Sequence, residues 1–325
     1  MGAEKKLLFP EGKPATRIDR FLAEQCPELS RSQIKSLILE SSVICNQKPV
    51  KPSYKAAPGD TIIISIPEPQ SPDILPENIP LEIIYQDSDI AVINKQAGII
   101  VHPAGAIVTG TLVNALLYHI KDLSGINGIL RPGIVHRLDK DTTGVILIAK
   151  NDRSHRSLAA QFESRTITKK YHTLVWGVVD QPSGVVNKSI ARSRSDRKKM
   201  VSGKTGRVSV TYYSTLKTYD FLTLLEVRPK TGRTHQIRSH FASIGHPVFG
   251  DLLYRGRNRR LAGLSANRRI LAVRMLKQCT RQALHAAEIT FEHPTTHRQM
   301  TYTAPLPADF TTILSFLDND QIENS

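Results

Sequence analysis

The sequence predicts an α+β fold, with a large domain built on a mixed, mainly antiparallel sheet and a small α+β unit ahead of it. Three observations carry this. Apolar runs of strand length outnumber helical patterns and do not alternate with helices as parallel βαβ units would. A proline-dense stretch, Pro67-Glu-Pro-Gln-Ser-Pro-Asp-Ile-Leu-Pro76, divides the chain, because proline at that density joins neither a helix nor a central strand. The 325 residues suffice for one large domain and one small one.

In chain order, residues 1–15 read as a flexible N-terminus and residues 16–66 as the small unit. Thr16-Arg-Ile-Asp19 resembles a capping box ahead of Ile18, Phe21 and Leu22 at helical spacing. Ser30-Arg-Ser-Gln33 repeats the start signal, with Ile34, Leu37 and Ile38 on one face and Arg31 and Lys35 one turn apart at its border. Val43–Cys45, Val50 and Thr61–Ile66 read as strand, with Pro58-Gly-Asp60 as a turn. Residues 67–79 are the linker, and residues 80–317 the large domain. There, Leu81–Tyr85 and Ile90–Asn94 are strands around Gln86–Asp89, and Thr111–Ile120 is a helix. Val145–Ala149 is a buried strand, and Asn151-Asp152 caps a helix carrying Leu158 and Phe162. Tyr171–Trp176, Val208–Tyr213 and Phe221–Val227 are strands, and Gly232–Ile244 is a loop entering a helix with Ile237, Phe241 and Ile244 inward. Residues 318–325 form an acidic tail expected to fray.

Lys and Arg exceed Asp and Glu by 44 to 29, a net charge of +15. Such an excess concentrates polyanions around a protein and points to a nucleic-acid partner. It is also clustered. Arg255 to Arg281 holds nine basic residues and no acid, and Lys188 to Arg207 has Asp196 as its only acid. Solubility alone would not require clusters of one sign. No apolar run approaches the ~20 residues of a membrane span. The N-terminus lacks a signal-peptide apolar region, and Lys6 stands where a myristoylation signal wants Ser or Thr. Cys26, Cys45 and Cys279 are odd in number and far apart, which fits a reducing cytoplasm and argues against a disulfide framework or a zinc site.

The most polar turn, Gly133-Ile-Val-His-Arg-Leu-Asp-Lys-Asp-Thr-Thr-Gly144, runs into the apolar Val145–Ala149. A plain connection needs only Gly, Asn or Asp, whereas this one adds a histidine, an arginine, a lysine and two threonines. Asp139 is its candidate functional charge. An aspartate often merely closes a turn, so its weight comes from company elsewhere in the chain. Thr231-Gly-Arg-Thr-His-Gln-Ile-Arg-Ser-His240 is a second polar block, whose cations can pair with a carboxylate. Lys169-Lys-Tyr171 sets an aromatic in a basic surrounding, suited to stacking on a base. His235 and His240 lack the helical two-histidine spacing of zinc hydrolases, and no glycine-rich phosphate loop is present.

His136-Arg-Leu-Asp139-Lys-Asp-Thr-Thr-Gly144 resembles the catalytic motif of the RluA/RluD family of RNA pseudouridine synthases. Thr231–Arg238 with Gly245-His-Pro-Val-Phe-Gly-Asp251 is similar to a later motif of that family, and Asn94–Gly98 with Val101-His-Pro103 to an early one. The likeness runs from about Pro80 to Asp309, and the residues before the linker resemble the alpha-L RNA-binding domain shared with a small-subunit ribosomal protein. That domain order suggests the RluD or RluC branch, and His285–Pro294 with Ala304–Asp309 leans toward RluD. The alpha-L pattern has Gly where Ser41 and Gln47 stand, and Ser239 replaces a more usual apolar residue.

The resemblance implies a catalytic domain of pseudouridine synthase type in which Asp139 is the catalytic carboxylate. Arg238 is implied to pair with Asp139 and keep it anionic, and Tyr171 to stack on the target base and assist the final deprotonation. Arg137 is implied to fill the gap left by a flipped nucleotide. In the small unit, Arg17, Arg31, Ser32 and Lys35 are expected to grip RNA phosphates. The expected activity is isomerisation of specific uridines in large-subunit ribosomal RNA, in a hairpin loop, by a cytoplasmic monomer without cofactor, metal or membrane. The competing readings are a non-catalytic ribosomal-RNA-binding assembly factor and a synthase acting on transfer RNA or another ribosomal site.

Overall fold

The computed structural model describes residues 3–26, 29, 31–66, 74–103, 107–126 and 131–323, and within these the side chains of Ala3, Ser32 and Glu323 are not described. Two compact units emerge, Met1–Pro72 and Asp73–Ser325. The first runs β1 (Ala3–Leu8), β2 (Thr16–Arg17), α1 (Ile18–Gln25), α2 (Arg31–Leu39), β3 (Val43–Cys45), β4 (Lys48–Pro49), β5 (Lys55–Ala56) and β6 (Thr61–Ile66). Its sheet has the order β1-β6-β3-β4, and Ile18, Phe21, Leu22, Ile34 and Ile38 of the helices close over Ile62 and Ile64.

Two expectations for this unit are corrected. The N-terminus is not a flexible stretch as far as Thr16: β1 pairs along all of β6, Ala3 opposite Ile66 and Leu8 opposite Thr61. The cause is β6, an apolar run with β3 on one edge that needs a partner for the backbone groups of the other. Phe9 follows β1 into the core and packs on Phe21 with ring centroids 4.7 Å apart. Nor does Thr16 cap α1. Its strand pairing with Ala56 turns it away, its hydroxyl donates to the Pro14 carbonyl at 2.8 Å, and Arg17 precedes the helix without a side-chain cap. Ser41 and Gln47 take the left-handed φ of 60° and 65°, a conformation that favours Gly.

The second unit runs β7 (Glu82–Gln86), β8 (Ile90–Lys95), α3 (Leu112–His119), β9 (Thr143–Ala149), α4 (Asp152–Ser164), β10 (Thr168–Trp176), β11 (Ser183–Asn187), β12 (Ser189–Arg192), β13 (Met200–Gly203), β14 (Val210–Thr218), β15 (Leu222–Pro229), α5 (Gln236–Ser243), α6 (Ala266–Gln278), β16 (Leu284–Glu292), β17 (Gln299–Thr303) and α7 (Ala308–Glu323). Eight strands line up as β11-β14-β15-β10-β16-β9-β8-β7, and β17 adds to β16. Every pair is antiparallel except β16 with β9, so the sheet is mixed and mainly antiparallel, and the class is α+β. All of β9 is buried, because α3 and its neighbours pack on one face and Leu158 of α4 on the other. Gly144 makes the parallel junction possible: at φ +107°, a Cβ there would run into the Ala286 carbonyl.

Part of the expected linker, residues 67–73, lies outside the described residues. The rest is not a spacer. Ile74 is buried beside α3, and Asn114 Nδ2 donates to the Leu75 carbonyl at 2.8 Å. The acidic tail is also corrected. Phe310, Ile313 and Leu317 recur at helical spacing against Trp176, Phe249 and Met275, so α7 continues to Glu323. Asp318 accepts from Lys217 Nζ at 2.7 Å and from the Tyr219 hydroxyl at 3.0 Å. Cys26, Cys45 and Cys279 are buried and form no disulfide with one another. Among the described residues, no helix is long and apolar enough to cross a membrane.

Candidate active site

The polar turn between α3 and β9 is tied down residue by residue. His136 Nε2 accepts the Leu147 N–H at 2.8 Å, and its ring stacks on Phe162 at 4.7 Å. Leu138 is buried among the side chains around α3, which leaves its neighbours Arg137 exposed and Asp139 half-buried. Beyond Asp139, the fully buried Lys95 donates to the carbonyls of Gln96, Ile99 and Lys140 at 2.8–2.9 Å. Burial lowers the Lys95 ammonium to about 8, partly offset by the charges of Asp141 and Asp139. Arg281 Nη1 holds the Asp141 carbonyl at 3.1 Å. The carboxylate therefore projects from a loop whose backbone is fixed on both sides.

Because His136 Nε2 accepts a backbone N–H, the ring is neutral, and burial with the Lys169 charge pushes it down to about 3 from 6.5. Between those values the unfolded chain binds the extra proton, so stability present above pH 6.5 is lost as pH falls toward 3. Buried His285, pushed down to about 4 by burial, acts in the same direction. His136→Gln keeps an acceptor for Leu147 and removes the titration. In urea unfolding at neutral and acid pH, its acid loss of stability should be smaller than that of the unmodified protein by about 1 kcal/mol per pH unit. Equal losses would show that His136 is not the titrating group.

Arg238, on the buried face of α5, reaches the same place from the opposite side. Its Nε and Nη2 donate to Asp251 Oδ2 and Oδ1 at 2.6 and 3.0 Å, and its Nη1 donates to Asp139 Oδ2 at 3.0 Å. Asp251 is fully buried, and its Oδ1 also accepts the N–H groups of Leu253 and Tyr254. The guanidinium is thus pre-set by one carboxylate and offers its remaining edge to the other. Burial opposes its charge, but Asp251 and then Asp139 outweigh that and raise its pKa further. His235 Nε2 lies 3.8 Å from the same oxygen of Asp139.

Tyr171 enters through β10, next to a register shift between Lys170 and Tyr171 against β16. Half-buried, it lines the cleft that also contains Asp139, and burial together with the Asp139 charge raises its phenol. The cleft encloses about 480 Å³. Arg137, Arg165, Lys169, Lys230 and Arg233 line it, and none has an ion-pair partner among the described residues. Arg233 Nε is buried without a hydrogen-bond partner among them. Asp139, Arg137, Tyr171 and Arg238 are therefore brought together. Sequence reasoning gave no role to Asp251, Lys95 or the pairing of His235 with Asp139. The visible signal was a lone acid closing Gly245–Asp251 in a basic region.

In the first unit, Asp19 gathers two of the expected phosphate-binding residues. Arg17 donates to it through Nε and Nη2 at 3.0 and 3.1 Å, and Arg31 through Nη2 at 3.2 Å. The Arg17 guanidinium, helped by Arg31 and opposed by burial, holds the Asp19 carboxyl below its ordinary range. Both guanidinium groups stay exposed, and Lys35 is exposed one turn beyond Arg31. The Ser32 side chain lies outside the described residues.

One group among the described residues has metal-ligand proximity, Asp87, Asp89 and His293. Protein donors already engage it: Asn151, Ser154 and Thr295 on Asp89, Tyr85 on Asp87, and the Thr295 and Thr296 N–H groups on His293 Nδ1. It reads as a brace between β8, α4 and the turn after β16. His240 is occupied separately by Thr211 and the Lys188 carbonyl.

The RNA pseudouridylate synthase family pattern matches residues 89–243, which includes the loop, Tyr171 and Arg238, and the S4 domain pattern matches residues 16–62. A protein from Aquifex aeolicus described as an uncharacterized RNA pseudouridine synthase is 47% identical over 93% of this chain and 94% of its own length. The ribosomal large subunit pseudouridine synthase D of Zymomonas mobilis is 41% identical over 93% of each chain. Among solved structures, human RNA pseudouridylate synthase domain containing 4 matches with a TM-score of 0.54 and 29% identity, over 73% of this chain and 93% of its own. With a basic cleft around a fixed carboxylate and an S4 domain ahead of it, the chain belongs to the RNA pseudouridine synthases of the RluA/RluD type.

Proposed function

We propose that this enzyme converts uridines of large-subunit ribosomal RNA to pseudouridine, at a nucleotide extruded from a hairpin loop, with Asp139 as the reacting carboxylate. The observation that carries this is a single cleft holding that carboxylate, an aromatic and five cations without ion-pair partners among the described residues. Such a lining suits a polyanion whose base must be stacked and attacked in one place. The name of the Zymomonas mobilis relative supports the ribosomal target. Substrate and product are isomers, so the chemistry needs no co-reactant. Asp139 assists breaking of the bond between N1 and the anomeric carbon, whose electron pair leaves on the uracil; the uracil turns, C5 bonds to that carbon, and the proton lost from C5 is matched by one taken up at N1. Tyr171 stacks on the uracil. Its raised phenol keeps its proton near neutral pH, so it acts as a platform and donor. Arg137, exposed beside Asp139, fills the space the nucleotide vacates.

Mapping pseudouridines in a deletion strain tests the target. Loss at large-subunit positions is expected, and loss confined to transfer RNA would overturn the ribosomal reading.

The first unit supplies affinity through Arg17, Arg31, Ser32 and Lys35. A chain starting at Asp73 should bind ribosomal RNA more weakly, with a salt dependence shallower by about one unit of slope for each phosphate it no longer neutralises. It should still modify a short stem-loop. An unchanged salt slope, or a folded truncation inactive on every RNA, would contradict this division of labour.

A further inference from the structure

We propose that His235 is a positioning residue for Asp139, and that Tyr254 acts through it by setting which ring nitrogen carries the proton. The inference rests on the reading of Asp139 as the reacting carboxylate. His235 sits just before α5 at φ 53° and ψ 24°, a left-handed conformation uncommon for a residue with a Cβ. From there its ring lies between two partners. Nε2 is 3.8 Å from Asp139 Oδ2, and Nδ1 is 3.1 Å from the Tyr254 hydroxyl, whose ring meets it edge-on at 88°. The hydroxyl also meets the backbone of Met200, accepting its N–H at 2.9 Å and lying 3.1 Å from its carbonyl.

A hydroxyl has one proton to give. If it goes to the Met200 carbonyl, His235 Nδ1 must be the donor, and the Nε2 lone pair then faces the carboxylate. If it goes to Nδ1, Nε2 carries the hydrogen and presents it to Asp139. Beside an anion the second arrangement is favoured, and the Met200 N–H keeps the phenol oxygen in place as an acceptor. The charged groups around the ring are Asp139 and Arg137 of the loop, Arg238 of α5 and Asp251. Burial lowers the imidazole, and the two arginines oppose the two carboxylates, so the tautomer rather than the charge is what Tyr254 controls. The consequence is an asymmetric carboxylate. Arg238 Nη1 and His235 Nε2 both converge on Oδ2, and Oδ1 is the oxygen left for the nucleotide. Tyr254 is in turn seated by β13, which also meets α5 through the hydrogen bond from Ser202 to Ser239 at 3.1 Å.

The test is a mutant cycle on a stem-loop RNA, with Tyr254→Phe, His235→Gln and the double variant, checked for folding by thermal melts. Glutamine can place an N–H where Nε2 stands and has no tautomer. Tyr254→Phe should lower kcat about tenfold at a KM within about twofold, whereas His235→Gln should stay within about threefold of the unmodified enzyme. Adding Tyr254→Phe to His235→Gln should then cost less than about twofold. Nitrogen NMR shifts should report hydrogen on Nε2 alone in His235, and a mixture of the two tautomers once Tyr254 is Phe and only the Asp139 charge biases the ring. Equal losses from Tyr254→Phe in both backgrounds, no loss in either, a loss from His235→Gln as large as that from Tyr254→Phe, or an unmoved tautomer would each overturn the proposal. An unmodified enzyme that forms no pseudouridine would instead overturn the reading of the reaction.

Discussion

Asp139→Asn should abolish pseudouridine formation while leaving RNA binding intact. The amide can turn its carbonyl to Arg238 Nη1, which keeps that hydrogen bond and puts an NH2 group where Oδ1 was. The group that can bond to or stabilise an electron-poor sugar carbon is then gone, and a fall in kcat of at least about a thousandfold is expected. The five cleft cations that have no ion-pair partner among the described residues are untouched, and one negative charge is removed from among them. Affinity should therefore hold or tighten by up to about threefold at moderate salt. Arg238 retains its fork on Asp251, so the melting temperature should stay within about 3 °C of the unmodified protein. Single-turnover assays with chemical mapping of pseudouridine, alongside filter binding, read both quantities. Residual kcat within tenfold would remove Asp139 from the chemistry. Abolished binding with intact folding would favour a role in holding RNA.

This separation can be drawn because the site is assembled from groups that differ greatly in how visible they are along the chain. The loop around Asp139 was legible, since charged residues crowded against a wholly apolar strand have no structural excuse, and β9 is indeed buried throughout. The partner of Asp139 was legible only through the likeness of two motifs. Arg238 lies 99 residues away, and nothing local to either residue marks the contact. Asp251 and Lys95 were harder. The acceptors of Lys95 are three backbone carbonyls, which a sequence does not distinguish from any others. Elements were hidden for a similar reason. The polar Glu4-Lys-Lys6 conceals β1, whose pairing is demanded by β6 rather than by its own residues. In α6 only Ala272, Met275 and Leu276 are buried, too sparse a stripe to stand out among arginines.

Arg238→Met should be the most destabilising single change at the site, because of Asp251 rather than Asp139. Asp139 is half-buried at the cleft and can be hydrated when its partner leaves. Asp251 is fully buried, and without the guanidinium it keeps only the backbone N–H groups of Leu253 and Tyr254. Leaving a buried charge unpaired costs about 3–5 kcal/mol, which for a domain of this size corresponds to a drop of about 10 °C in melting temperature. Lysine keeps the charge but has no planar fork to span both oxygens of Asp251 and still reach Asp139, so Arg238→Lys should fall between. The decisive variant is Arg238→Met with Asp251→Asn. It removes the stranded charge and keeps an oxygen for the two N–H groups, and so should recover most of the stability that Arg238→Met removes. Activity should not return, because Asp139 Oδ2 still lacks its donor. Denaturant melts within about 1 kcal/mol of the unmodified protein for Arg238→Met alone would mean that Asp251 does not depend on this arginine. Restored turnover in the double variant would mean that Arg238 serves the fold and not the carboxylate.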